Sequence, residues 1–495
     1  MEWLQLKLSE LLGYNSTSPL IFSSGLFLFL FVGFLLFYHL LRRTTTLRIL
    51  YVAAFSLYFY YKSSGLYFLL LVLAATYDYM IGFSLYHTQN RTMRRLLVAL
   101  SVVINLSMLG YFKYTNFFVG LGNQLLGEGF LEFQNIFLPV GISFFVFQSM
   151  SYTIDIYRRE LKPLRSWLDY LFYLSFFPQL VAGPIVRARD FIPQIRQKVE
   201  LTREMLGGAI FLILTGLFKK AIISDYIALN FVDRIFDEPL LYSGFECLMG
   251  LYGYALQIYC DFSGYSDMAI GLALMMGFRF PKNFDAPYQS ATITEFWRRW
   301  HISLSSWLRD YLYISLGGNR KGKLRTYLNL LLTMLLGGLW HGAAWRFVLW
   351  GALHGVALAL HKMWMTVIPG AKIKGSDMNP ILRLVGIVLT FHIVCLGWLV
   401  FRAESLQTAE LLLHQIATNF NTALIPQVIE GYGFAMLLIA TGYLLHFTPR
   451  RIDNALRDSI TRAPMWGQVA MLVVMIWCVM QVKSSDIQPF IYFQF

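Results

Sequence analysis

The chain has 495 residues, 57% of them hydrophobic and 17% aromatic, only 14% charged, and a mean hydropathy of +0.54. That composition excludes an ordinary soluble globular domain and points to an all-α polytopic membrane protein. The formal charge of +13 does not mark a nucleic-acid binder, because the basic residues fall in short clusters between apolar runs, as in cytoplasmic membrane loops. The clusters are Arg42/Arg43/Arg48, Arg91/Arg94/Arg95, Arg158/Arg159/Lys162, Lys219/Lys220, Arg320/Lys321/Lys323/Arg325 and Arg450/Arg451.

A bilayer core of about 30 Å takes roughly 20 apolar residues per helix. Runs near that length occur at 20–41, 65–87, 96–112, 136–157, 205–223, 245–277, 326–345, 347–367, 381–401, 431–447 and 466–482. Shorter stretches at 48–61 and 167–182 suit tilted, re-entrant or buried segments, so the expectation is about 11 membrane helices, within a range of about 10–13. The start is mixed, with Glu2 and Glu10 ahead of the first apolar run, unlike a cleavable signal peptide. Arg42 to Arg48 puts the end of that run in the cytoplasm. If 48–61 and 65–87 form a hairpin, Arg91 to Arg95 returns there and the N-terminus lies outside.

Past residue 170, Pro178, Gly183, Pro184 and Pro193 interrupt what would otherwise be helix. Broken backbone at membrane depth survives only where protein or a water-filled cavity covers it. FFPQLVAGPIVRARDF is therefore expected to line a cavity, with Arg187 near its end. Lys219 and Lys220 read as interfacial anchors. The run from Tyr252 to Phe278 carries Asp261 and Asp267, and a carboxylate in hydrocarbon costs a few kcal/mol on insertion scales, so each needs a polar surround and a partner. Either the two acids face a functional interior, or they mark a helix break satisfied by Arg279 or a neighbouring arginine. Ser263, Gly264, Tyr265 and Ser266 make that turn polar and loose. Residues 372–380 and 402–426 read as extramembrane connections, the second with an amphipathic stretch, LQTAELLLHQIATNF, suited to the membrane surface. The closing DIQPFIYFQF is expected to pack. Neither a repeat nor a linker divides the chain, which reads as one membrane domain over 1–495. Cys247, Cys260, Cys395 and Cys478 are far apart and mostly in apolar runs, forming neither a disulfide framework nor a zinc site.

The chemistry is expected between residues 292 and 360. Thr292 and Glu295 have capping-box spacing, so a helix is predicted from Thr292. Phe296, Trp300, Leu304, Trp307 and Tyr311 form one aromatic stripe on it, with Arg298, His301, Ser305 and Arg309 on the opposite face. So charged a helix belongs at the interface or along a polar funnel, and His301 reads either as an interfacial hydrogen-bonding residue or as part of the chemistry. His341 stands about fifteen residues into the next apolar run, far from where that run enters the membrane. Gly337, Gly338 and Gly342 flank it and permit close backbone approach. One straight helix from Tyr327 to Leu360 would run about 50 Å, so a bend is predicted near Gly342 to Arg346. An imidazole there suits general-base work; helix packing or metal ligation are the alternatives, although His301, His341 and His354 are not at a familiar metal spacing. No phosphate loop and no nucleophile elbow is recognisable. An acyl chemistry would have to use a borrowed thioester and a base.

The strings ITEFWRRWHISLSSWLRDYLYISLGGNR, LLGGLWHGAAWRFVLWGALHG, YCDFSGYSDMAIGLALMMGFRFPKNF and FFPQLVAGPIVR resemble the membrane-bound O-acyltransferase family, in its bacterial branch typified by the membrane subunit of alginate O-acetylation. The likeness covers most of the chain, with its core at about 140–367, an extension at 1–19 and further helices over 381–495. It implies a ring of membrane helices around a central funnel, multi-pass in the bacterial inner membrane. His341 of GLWHG matches the essential family histidine, and His301 of RRWHISLS a second one. The implied donor is a cytoplasmic acyl thioester, acetyl-CoA for this branch, with no permanently bound cofactor and no metal. The acetyl group would pass across the membrane to an extracytoplasmic SGNH-hydrolase-like acetyltransferase partner, or to a polysaccharide directly. Arg187, Asp261, Ser263, Asp267, Arg298, Arg309, Trp340 and His354 are expected to line the funnel or bind substrate, without assigned roles. The acceptor stays open among alginate, peptidoglycan and other exopolysaccharides, or a teichoic acid with D-alanyl as the acyl group. A transporter or flippase, or a structural subunit of a polysaccharide-export complex, are the readings from other classes.

Overall fold

The computed structural model describes residues 11–15, 19–367 and 378–482, so the closing DIQPFIYFQF and most of the 372–380 connection lie outside the described residues. Among the described residues all regular structure is helical, and each of the eleven predicted apolar runs carries a helix. By length and apolar character five helical stretches are long enough to cross a bilayer, or six if the pair Thr422–Gly431 and Gly433–His446, bent by 95°, counts as one span. About eleven were expected. Part of the difference is length. The helices at Gly25–Leu41 and Ile142–Tyr157 have 17 and 16 residues, and a helix rises only about 1.5 Å per residue.

The described residues fall into two compact units, one within 11–209 with 268–281, the other within 210–267 with 282–482. The first contains α1 (Gly25–Leu41), α2 (Thr45–Ser64), α3 (Phe68–His87), α4 (Arg91–Leu109), α5 (Thr115–Leu126), α6 (Ile142–Tyr157), α7 (Trp167–Ser175), α8 (Phe177–Leu180) and α9 (Ala188–Ile195). Phe177 is the centre of its aromatic core, within 6.3 Å of the rings of Phe22, Phe27, Phe31, Phe34, Phe55 and Phe59. Arg48 and Arg94, read as loop cations, are buried instead and donate to backbone carbonyls, Arg48 to Ile195 and Gln197, Arg94 to Leu85 and Tyr157. The broken element at FFPQLVAGPIVR is as irregular as its prolines dictate, and residues 176–188 are buried throughout. Gly183 makes the turn possible, because a Cβ there would lie 2.3 Å from the Pro178 carbonyl oxygen. Non-helical backbone at this depth is thus covered by protein.

The second unit is built on α10 (Arg203–Leu217) from residue 210, which continues through π-turns to Asp237, and on α11 (Gly244–Met275) as far as residue 267. Two short helices follow, α12 (Ile293–Arg299) and α13 (Ile302–Trp307), and then the hairpin of α14 (Lys323–His341) and α15 (Trp345–Val367). The hairpin closes tightly because its crossing point has no side chains. A Cβ at Gly338 would meet the Phe347 carbonyl oxygen at 2.2 Å, and one at Gly351 the Met334 carbonyl oxygen at 2.4 Å. The predicted bend falls at residues 342–344, between the two helices. Next come α16 (Pro380–Arg402), α17 (Leu406–Thr418), α18 (Ile425–Gly431), α19 (Gly433–His446), α20 (Arg450–Arg462) and α21 (Met465–Val482). The amphipathic stretch expected within 402–426 is α17, capped by the Ser405 hydroxyl.

Candidate active site

The expected helix start at Thr292 forms, with the reciprocal bond of the capping box shifted one residue, to Ala291. The Thr292 hydroxyl accepts from the Glu295 N–H at 3.1 Å, and the Glu295 carboxylate accepts from the Ala291 N–H at 3.0 Å and pairs with Arg299 at 2.7 Å. The helix it starts does not continue to Tyr311. It ends at Arg299, and His301 takes a left-handed backbone conformation, φ 42° and ψ 56°, before α13 begins. That conformation costs a residue with a β-carbon roughly 1–2 kcal/mol, and Asn283 supplies the bonds that hold it. The Asn283 carbonyl accepts from the Ile302 N–H at 2.9 Å. Its side-chain oxygen accepts from the Ser303 N–H at 3.2 Å and hydroxyl at 2.9 Å and lies 3.1 Å from His301 Nδ1, while its amide nitrogen donates to Ser266 Oγ at 3.0 Å.

The break turns His301 inward, correcting its expected place on a polar face with Arg298, Ser305 and Arg309. The imidazole is fully buried, edge-on to Phe262 at 4.6 Å and 6.3 Å from the indole of Trp340. Burial pushes its pKa down to about 3, so the ring is neutral at physiological pH. Arg298 and Arg309 stay exposed, Arg309 against Asp310 at 2.6 Å.

His341 is the last residue of α14, where Gly342 leaves the helix in an extended conformation. Its ring is 4% exposed and sits edge-on to Trp340 and Trp350, both at 5.0 Å, and to Phe401 of α16 at 5.5 Å. Trp340 therefore neighbours both imidazoles. His354, expected along the funnel, is enclosed among Trp350 at 4.8 Å, Trp297 at 5.1 Å and Phe296 at 6.2 Å. Neither of its ring nitrogens has a hydrogen-bond partner among the described residues.

The two aspartates of α11 have the partners they were expected to need, and these are lysines, not the arginine that the helix-break alternative named. Lys220 is 2% exposed and bridges Asp261 and Asp225, the latter at 2.8 Å; Lys219 binds Asp267 at 2.7 Å. Both lysines, read as interfacial anchors, serve as counter-charges in the packed unit. Close approach of the backbones allows it, since a Cβ at Gly264 would meet the Gly216 carbonyl oxygen at 2.7 Å. The same helix presents Phe262 to His301 and Ser266 to Asn283, so its buried charges and the support of His301 share one scaffold. Ser263 is buried on it. Arg187 is buried at the start of α9 in the other unit, and Arg279, also there, binds Gln194 through its backbone N–H. Among the described residues no cluster of three or more His, Cys, Asp or Glu side chains is arranged to hold a metal ion. The residue that reading the sequence missed is Asn283: a single asparagine in a loop between two prolines carries no periodicity and no motif spacing.

The chain matches the membrane-bound O-acyltransferase family over residues 54–396. It is 43% identical to the "probable alginate O-acetylase AlgI" of Pseudomonas aeruginosa over 456 residues, 90% of this chain and 84% of the relative. With the protein of the same name from Pseudomonas putida it shares 38% over 503 residues, 96% of this chain and all of the relative. With the peptidoglycan O-acetyltransferase of Helicobacter pylori it shares 38% over 366 residues, 69% and 68% of the two chains.

Proposed function

Because this chain belongs to the membrane-bound O-acyltransferase family and is a multi-pass membrane O-acyltransferase, we propose that it takes acetyl from acetyl-CoA on the cytoplasmic side and passes it across the inner membrane for O-acetylation of a polysaccharide. Long similarity to the alginate O-acetylases supports acetyl over D-alanyl as the transferred group. An SGNH-hydrolase-like protein outside the membrane would receive the group or deliver it to the polymer, and a funnel within a ring of about eleven helices would carry it.

The observation that carries the reading is His341 at the broken end of α14, inside an aromatic cage whose Trp340 also neighbours His301. In this reading Nε2 or Nδ1 of His341 takes the proton of the acceptor hydroxyl as the oxygen attacks the thioester carbonyl, and the departing thiolate receives a proton in turn. His301 orients a reactant. With His341 only 4% exposed, substrate reaches the imidazole in this reading by displacing part of the surrounding cage.

The test is acetyl transfer from labelled acetyl-CoA by the protein in vesicles, wild type against His341→Ala. A loss of about 10²–10⁴-fold with the fold intact is expected for removal of a general base. Wild-type turnover in the variant would overturn the base assignment, and substrate movement without thioester consumption would mark a transporter.

A further inference from the structure

The Ser303 backbone N–H can only donate a hydrogen bond. The Asn283 atom 3.2 Å from it is therefore the amide oxygen. The other end, 3.0 Å from Ser266 Oγ, is then the NH₂ group. An amide oxygen has no hydrogen to give, and the Ser303 hydroxyl, 2.9 Å from that oxygen and 3.4 Å from His301 Nδ1, points its own hydrogen at the nearer oxygen, so in the 3.1 Å contact between the amide oxygen and Nδ1 the proton belongs to the imidazole. A neutral imidazole carries one N–H. With that hydrogen on Nδ1, Nε2 is left with its lone pair.

Nε2 is buried and has no hydrogen-bond partner among the described residues. Around the ring stand Phe262, edge-on at 4.6 Å, Phe284, near-parallel at 6.3 Å, and Trp340 at 6.3 Å. Leaving a buried acceptor unsatisfied costs about 1–3 kcal/mol, and the left-handed backbone of His301 adds strain that Asn283 offsets with its own carbonyl. Two costs concentrated on one side chain suit a site completed by a ligand. The ligand group this atom can take is a hydrogen donor.

We propose that Asn283 is a positioning residue that holds His301 as its Nδ1–H tautomer, so that Nε2 accepts a hydrogen bond from a donor group of the bound acceptor beside the hydroxyl that reacts, whose one hydrogen is left to His341. The inference rests on the acyl-transfer reading above and narrows it. As a lone-pair acceptor, His301 orients the acceptor through a group other than the attacking hydroxyl and does not donate to the carbonyl oxygen on which negative charge develops. The two imidazoles then divide the work: His301 holds the acceptor by a neighbouring donor group, and His341 removes the proton of the reacting hydroxyl.

The experiment uses the full-length protein in lipid bilayers with ring-¹⁵N-labelled histidine, His301→Gln assigning the resonances, together with acetyl transfer from acetyl-CoA. In the wild type the His301 proton should reside on Nδ1, with Nε2 giving the unprotonated, pyridine-like signal. Asn283→Leu, which removes the acceptor, should mix the tautomers and lower kcat roughly 10–100-fold, as loss of a group orienting a functional histidine does, with a smaller change in KM for acetyl-CoA. Asn283→Asp, which keeps an acceptor oxygen, should retain the wild-type tautomer and restore much of the rate. A wild-type proton on Nε2 overturns the proposal whatever the activity, and so does a mixed tautomer in Asn283→Leu with undiminished kcat. Should Asn283→Leu fail to fold, the wild-type and Asn283→Asp spectra still decide. Full turnover by His341→Ala beside the expected tautomer would sink the base assignment and leave this one standing.

Discussion

Gly342 lies so close to Phe347 that a β-carbon on the glycine would sit 2.0 Å from Cε2 of the ring. The glycine's backbone is extended, φ −165°, a conformation any residue adopts, so what the position demands is space. The contact lets α14 stop at His341 and return as α15 in three residues, which sets where the imidazole stands.

Gly342→Ala is accordingly expected to destabilise the protein by about 1–3 kcal/mol, the usual cost of overpacking. Because the obstacle is a side chain, Phe347→Leu in the same background should recover part of the loss. Gly338→Ala should resist such rescue, since its β-carbon would meet the Phe347 carbonyl oxygen at 2.2 Å. Thermal unfolding of the variants in detergent separates the cases; equal rescue at both positions would contradict the packing argument.

Lys220, 2% exposed between Asp225 and Asp261, is expected to be among the least replaceable residues of the second unit. Lys220→Met leaves a buried carboxylate uncompensated, a loss of roughly 3–5 kcal/mol. Adding Asp261→Asn should return part of it, because Asp225 is 19% exposed and can keep some hydration. Lys219→Met should cost less, its pair with Asp267 being 26% and 21% exposed. Yield of folded protein and its melting temperature are the readouts, and a Lys220→Met variant as stable as Lys219→Met would refute the ranking.

What could be read from the sequence was whatever local pattern decides. Apolar length marked the helices, the Thr292 and Glu295 spacing marked the start of α12, the glycines around His341 marked the bend, and the prolines near 178 to 193 marked broken backbone. What could not be read was set by partners distant in the chain. The stripe from Phe296 to Tyr311 is regular enough for one helix, yet Asn283, eighteen residues before His301, captures the backbone there and splits it. Likewise Asp261 showed its need for a cation but not which one, because the choice of Lys220 depends on how α10 and α11 cross at Gly264.

His354 was expected along the funnel, and it lies among the rings of Trp350, Trp297 and Phe296. With both ring nitrogens unbonded inside an aromatic box, it gains nothing polar from being histidine, and unsatisfied buried groups cost about 1–3 kcal/mol. His354→Leu should therefore fold with stability within about 1.5 kcal/mol of the parent, in keeping with a shape-conserving swap, and should keep most of its acetyl transfer. Loss of transfer in a stably folded variant would give His354 a role in the chemistry.

His301 makes an acid-side prediction whose sign follows from its burial. Its folded pKa, about 3, lies below the ordinary 6.5, so the unfolded chain takes up the proton first as pH falls. The stability associated with the neutral buried ring is complete above about pH 6.5 and declines below it, by about 1.4 kcal/mol per pH unit, until the folded state also protonates near pH 3. His301→Gln, which carries no titrating group, should show a shallower fall in melting temperature between pH 7.5 and 5 than the parent, whatever its stability at neutral pH. Parallel profiles for the two proteins would mean that the imidazole reaches water or finds a counter-charge before the chain unfolds.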